Sequence, residues 1–491
     1  MAEGKREVQP SVLFVRRGSP TALSSDARAV PERPVLPSAP LMPAAPLAPA
    51  DGSFSRPFTS ITAALAVAPR GALLRLEDEL YEETLVLSRP VVLLGRGAAR
   101  TRIVSIDPGA PALDLRSADS VELHGLSIEG GPIGILAQGG ALRLQNVALR
   151  GFSDAALVAR NTEVTALGVE IVDIAHGRSG RGFELTGGSL ESRGLLLRVA
   201  GRRALILHGT KALLVDTDAE GPALSALQAL DGADVRVSGG RFSLMGGATL
   251  YAGGARLVVD SARISGGEYA VMGFRKADVT ASDADFTDYR VAAVALVRAS
   301  GAVLRCRIAR GGTEAAISIA HAMSPIRLED NRIQDPGPMG VHVTSAEVRA
   351  RGNSITGARL DKQKDFGDGF FGIGADLRLD GNVMRGNAGS GVTGMRSHLR
   401  VTNNGFLDNG RAGILLLDRS LAVATGNLFD RNRAAGVEIA EQSRMSLAQN
   451  RFGDNPQFDI DVGCGQRAGA GAKIEGGNTF ARIAARERIC P

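Results

Sequence analysis

Apolar positions along this chain come in short runs of alternating character, separated by Gly, Asn, Asp or Ser. Between Gly413 and Asn432 three such runs follow one another, at Ile414/Leu416, Leu421/Val423 and Leu428/Phe429. Alternation with a period of two is the pattern of strands with one buried face. The next segment, from Gly436 through Val437 and Ile439 to Asn450 and Phe452, repeats it. The predicted elements are therefore short strands, three to a unit, with turn residues between them.

The units have a fixed length. Asparagines fall at 331, 353, 382, 404, 427, 450 and 478, at spacings of 22, 29, 22, 23, 23 and 28. A second column follows five residues later at Asn387, Asn409, Asn432 and Asn455. Glycines lie nine residues after four members of the first column, at Gly340, Gly391, Gly413 and Gly436. After Asn353 the equivalent glycine is delayed to Gly369, so seven residues are inserted there. Upstream the asparagines are lost and the period persists: Ile264, Phe286 and Ile308 are 22 apart, and Gly125, Asn146 and Gly168 are spaced 21 and 22. A period in this range belongs to solenoids.

Two solenoids share the period. Leu377 to Asn382 would pass for the core of a leucine-rich repeat, but the second half of each unit is Gly-Ile-x-Ile, which is strand again. Three strands per turn predict an all-β fold, a single-stranded parallel β-helix solenoid of about sixteen coils of 22–23 residues. Coils stacked ~4.8 Å apart make a rod of roughly 77 Å. In-register asparagines can hydrogen-bond along the axis as amide ladders, and Asn tolerates the left-handed backbone of a tight corner. Both columns thus read as structural.

The ends need caps. Pro57 to Ala68 places Phe58, Ile61 and Leu65 on one helical face, which predicts a short capping helix. The expected division is a Pro/Ala-rich disordered tether over 1–50, an N-terminal cap with the first strands over 51–90, the β-helix over 91–480, and a C-terminal cap over 456–491 that overlaps the last coil.

Composition sharpens this picture. Gly is 62 of 491 residues, Trp is 0, Tyr is 4, and aromatics are 4%. Such a chain fits a narrow cross-section better than several compact domains. No run approaches the ~18 apolar residues of a membrane span. Val12-Leu13-Phe14-Val15 is too short for the apolar core of a signal peptide. The tether favours an exported, periplasmic or cell-surface setting. Net charge is +5; of 57 Lys and Arg, six are Lys and the remaining 51 are Arg. The arginines read as scattered, with no stripe. Basic clusters interleaved with aromatics are missing, so a nucleic-acid partner is not expected. Cys464 and Cys490 bracket the C-terminal end, where a disulfide would close a 27-residue loop; two reduced thiols are the alternative. Cys306 reads as a small buried hydrophobe.

At the N-terminal end, Asp51-Gly52-Ser53 with Pro57-Phe58-Thr59-Ser60-Ile61-Thr62-Ala63-Ala64-Leu65 resembles the entry segment of the pectin-lyase-like superfamily. So does Ala68-Pro69-Arg70-Gly71-Ala72, leading to Leu80-Tyr81-Glu82-Glu83 and Val91-Val92-Leu93-Leu94-Gly95. The resemblance covers residues 51 to about 480 and implies a right-handed coil. That superfamily hosts pectate lyases, methylesterases, polygalacturonases, epimerases and non-catalytic proteins, so it implies a fold more than an activity. Polygalacturonase-like Asn-Thr-Asp and Gly-His-Gly, methylesterase-like Gln-Asp-Thr and epimerase-like Asp-Pro-His do not occur.

Two patches carry candidate chemistry. The insertion, Arg359 to Asp368, holds Lys362 and Lys364 as a base for proton abstraction beside a uronate carboxylate, and Asp361, Asp365 and Asp368 as oxygen ligands for Ca²⁺. A plain charged loop is its bland reading. Tyr251, Tyr269 and Tyr289, with Arg275 and Lys276 and the carboxylates of Asp283, Asp285 and Asp288, form a candidate carbohydrate-binding patch, because rings stack on sugars and Arg pairs with uronates. His321 and His342 are 21 apart, roughly one coil, a spacing that would stack them on neighbouring coils. The expectation is a non-catalytic protein that binds polysaccharide or a cell-surface glycan, or serves as a surface scaffold. A uronate lyase or epimerase is the alternative.

Overall fold

The computed structural model describes residues 11–17, 50–116, 119–172, 174, 180–198, 201–221, 223–243, 245–363, 365–463, 471–481 and 487–489. Short parallel strands wind into about 17 turns. In one coil Ala412–Leu417, Leu421–Thr425 and Leu428–Asp430 lie on three different sheets. Each pairs in register with the next coil, Ile414 opposite Val437, Leu421 opposite Arg444 and Leu428 opposite Arg451. The first sheet runs from Leu85–Leu87 to Glu487–Ile489, the second from Val12–Val15 to Gly471–Ile474, and the third from Leu80–Glu82 to Thr479–Phe480. The second holds 19 strands.

The strands are held at their corners. Asn427 accepts from the backbone N–H and the side-chain amide of Asn404 at 2.8 and 3.0 Å. It donates in turn to the carbonyl of Val401 and to Asn450 Oδ1, both at 2.9 Å. The same links join Asn331 through Asn478. Cys306 starts the column: its N–H donates to Asn331 Oδ1, and its thiol is buried and pushed up to about 11 by desolvation. The second asparagine column, Asn387 to Asn455, holds the corner between the third and first sheets. At the remaining corner Ser397, Ser420 and Ser443 do the same with hydroxyls. The left-handed residue is not the ladder asparagine but its predecessor: Asp330, Asn403 and Gln449 have φ of 55°, 56° and 57°, and Gly352, Gly381 and Gly426 stand at the same place.

The interior is a set of columns. Ile264, Phe286 and Ile308 are in register, and the same line leads on to Met384 and Phe406. Phe406, Phe429, Phe452 and Phe480 then stack with centroids 5.0, 5.0 and 5.1 Å apart. Glycine makes room for them: a Cβ on Gly413 would stand 2.6 Å from a Phe429 ring carbon and 2.6 Å from the Gly436 carbonyl oxygen. On the second sheet Ala422 and Ala424 point inward while Leu421 and Val423 are each 46% exposed. The alternation of the strand turns this apolar pair outward, while Leu399, Val401, Met445 and Leu447 fill the inward positions on the neighbouring coils.

Both ends differ from expectation. Val12–Val15, inside the span read as tether, is a strand parallel to Ala72–Leu76 and covers the edge of the second sheet. Tyr81 fixes it, its hydroxyl donating to the Val15 carbonyl at 2.9 Å. The rest of the proposed tether lies outside the described residues, apart from 11, 16, 17 and 50. The helix Ile61–Val67 forms with Ser60 as its N-cap, and the Glu83 carboxylate receives the N–H groups of Ile61 and Thr62 at 2.7 and 2.8 Å. At the other end Phe458–Val462, Gly471–Ile474, Thr479–Phe480 and Glu487–Ile489 continue the sheets, carried by Asn478 and Phe480. Cys464 and Cys490 lie outside the described residues.

Candidate functional site

The outer face of the first sheet carries Tyr251 and Tyr269 of one patch and is reached by Phe366 of the insertion. In register on successive coils stand Tyr251, Met272, Ala295, Ser318, His342 and Phe371. Tyr269 lies at the start of its strand, half-buried, with its hydroxyl pKa raised first by burial and then by the charges of Glu314 and Glu268. Glu314 is the centre of this strip. It accepts from the Ser318 hydroxyl at 2.9 Å and lies 3.5 Å from His342 Nδ1, and the His342 contact holds its carboxyl below the usual range. His342 Nε2 is 3.3 Å from the Thr344 hydroxyl, so both ring nitrogens have partners.

The insertion closes over the end of the strip. Asp361 Oδ1 accepts from the N–H groups of Asp365 and Phe366 at 2.7 and 3.2 Å, which folds the loop back on itself. Phe366 then meets Phe371 edge-on at 5.0 Å, and Phe371 lies 5.9 Å from His342. The loop is thus an anchored aromatic flap rather than a free charged segment.

Several expected site residues go elsewhere. Asp368 is not in the loop: it opens the strand Asp368–Ile373, is 4% exposed, and accepts from the Ser390 N–H at 2.6 Å and the Thr393 hydroxyl at 3.1 Å. It therefore does not join Asp361 and Asp365 as a surface ligand. Among the described residues no three His, Cys, Asp or Glu gather as a metal site. Lys362 and Asp365 are exposed, and Lys364 lies outside the described residues. Tyr289 is buried at 2% exposure with its hydroxyl on the Pro336 carbonyl, so its ring faces no solvent and cannot stack on a sugar. Arg275 and Lys276 form the corner at the far end of the Tyr269 strand, about 20 Å along it, where Arg275 lies over Phe274. Asp283, Asp285 and Asp288 are each gripped by an arginine of the next coil, Arg305, Arg307 and Arg310. His321 is a corner residue with φ of 52°, and Ser318 is what stands opposite His342, so the two histidines do not stack.

Glu314, Phe366 and Phe371 were missed. Their signal was positional: Ser318, His342 and Phe371 follow one another by 24 and 29 residues, one coil each once the insertion is counted.

Burial raises the Asp368 pKa from 3.8 to about 6, against the hydrogen bonds from Ser390 and Thr393 that lower it. The folded chain thus favours the protonated acid. The stability this contributes is complete below the unfolded value and is lost as pH rises through about 6. Asp368→Asn is expected to leave stability at pH 4 nearly unchanged and to raise it at pH 8 by up to about 3 kcal/mol. Thermal melts at the two pH values check this, and an equal shift at both would contradict it.

No curated protein matches this sequence. Among solved structures, the catalytic unit of an α-1,3-glucanase from Streptomyces thermodiastaticus is similar over 85% of this chain and 64% of its own, at 11% identity and a TM-score of 0.28. The A-module of a mannuronan C-5 epimerase from Azotobacter vinelandii is similar over 86% and 94%, at 14% and 0.19. A tailspike protein of bacteriophage CBA120 is similar over 87% and 58%, at 11% and 0.23. The chain thus spans less than two thirds of the glucanase unit's length. In fold the chain is a right-handed parallel β-helix, matched over residues 293–481 by the family model described as a right handed beta helix region.

Proposed function

We propose that this protein is a non-catalytic β-helix that binds a polysaccharide along the outer face of its first sheet. The observation that carries the reading is the line from Tyr251 through Ser318 to His342, flanked by Tyr269 and ended by the flap residue Phe366 over the buried Phe371, which offers rings and polar groups along the axis. Sugars use both, apolar ring faces on aromatics and hydroxyls on polar groups. Glu314, Ser318, His342 and Thr344 hold one another in place along this strip, which fixes the polar groups a sugar would meet. An exported, periplasmic or cell-surface setting goes with such a role.

Affinity electrophoresis through gels cast with neutral and uronate polysaccharides tests it. At least one polymer is expected to retard the protein, and Tyr251→Ala with Phe366→Ala is expected to weaken that binding about tenfold. No retardation in any gel would sink the reading. Release of unsaturated ends from a uronate polymer, with or without added calcium, would replace it with proton abstraction.

A further inference from the structure

The second sheet carries a feature on its outer face that the strip does not use. Arg327, Arg349, Arg378 and Arg400 stand in register on four successive coils. They line two grooves, of about 350 and 750 Å³, that share Arg378 and Arg400 and run on past the exposed Leu421 and Val423 to Arg444. The arginines of this region are therefore not scattered.

Like charges in register on neighbouring strands repel, and the column is only partly relieved. Glu329 lies 3.5 Å from Arg327, Glu347 lies 2.9 Å from Arg349 and 3.5 Å from Arg378, and Asp376 lies 3.9 Å from Arg378. Among the described residues neither Arg400 nor Arg444 has a carboxylate in ion-pair range. A row of guanidinium groups repeating every ~4.8 Å presents forked donors suited to carboxylates or sulfates.

We propose that this groove binds an extended acidic polysaccharide, its anionic groups seated on successive arginines and its apolar ring faces over Leu421 and Val423. The site is separate from the strip on the first sheet. A single row of charges at coil spacing suits a linear polymer carrying one anion per sugar. A nucleic acid fits less well, because beside the arginines the larger groove is lined by aliphatic side chains, Asp376, Ser446 and Lys473, and its one ring is His398, whereas single strands are held on aromatic platforms.

The test measures binding of the full chain to polygalacturonate, chondroitin sulfate, dextran and oligothymidine across a salt series. Binding to polygalacturonate or chondroitin sulfate that falls with salt, with none to dextran at this face, is expected. The preferred polymer tells carboxylate from sulfate. Arg378→Ala with Arg400→Ala should weaken it at least about tenfold and flatten its salt dependence. Arg236→Ala, an exposed arginine of the same column between Leu213 and Val258, should leave it unchanged. Arg400→Lys keeps the charge, guards against a folding artefact, and should retain part of the binding. Equal losses in the Arg236 variant, no loss in the double variant, no binding to either acidic polymer, or tighter binding to oligothymidine would each overturn the proposal. Phe366→Ala should not change binding here, so failure of this site and failure of the first-sheet site are read separately.

Discussion

Asn427→Ala is expected to cost about 3–5 kcal/mol of stability in chemical denaturation. Alanine removes four side-chain hydrogen bonds, and the larger part of the loss lies in the partners it strands. The Asn404 N–H, one Asn404 amide hydrogen and the Val401 carbonyl all stay buried without their acceptor or donor. Unmade hydrogen bonds in a dry interior cost more than made ones contribute. Stability in a stacked solenoid is a sum over neighbours, so the damage should be local. Hydrogen exchange at the Asn404 amide is expected to accelerate while amides near Ile135 do not. Asn403→Ala is the comparison: Asn403 is exposed and left-handed, and alanine there should cost about 1–2 kcal/mol. Equal losses in the two variants would show that the column contributes nothing particular.

The second large effect is expected at Phe429, in the middle of the ring stack and fully buried. Phe429→Ala should cost about 3–5 kcal/mol, because the cavity cannot collapse. Rings on both sides are held by their own coils at the 5.0 Å set by the stacking of the strands. Phe429→Leu should recover part of the loss by refilling volume. Urea unfolding of the three proteins checks the order, and an alanine variant as stable as the leucine variant would contradict it.

Much of this architecture was legible because columns repeat. The seven asparagines of the first column and the Ile264–Phe286–Ile308 line each mark one coil, and the structure keeps them in register. Direction was harder to read than period. Leu421 and Val423 look like a core pair by hydropathy, yet the small residues between them face in. Tyr289 looks like a surface ring, yet it follows the left-handed Asp288 at the corner between the third and first sheets and turns under the chain. Residues 12–15 carry too little sequence to declare a strand, and only the open edge of the sheet makes them one. The arginine column was written plainly: Arg327, Arg349, Arg378 and Arg400 each precede a ladder asparagine by four residues and share its spacings of 22, 29 and 22. Counting arginines along the chain hides this; counting them from the nearest asparagine shows it.

The corners also make the coil the unit in which this chain can change length. A segment running from one ladder asparagine to the next can be lost or doubled with little rearrangement. Gly405 follows Asn404 as Leu428 follows Asn427, and the surviving strands meet partners of the same kind. Extra residues that do not fill a coil are pushed out at a corner, as between Thr356 and Asp368, while the strands on either side keep their register. Whole-coil changes thus alter the length of the outer faces, and part-coil changes alter what stands over them.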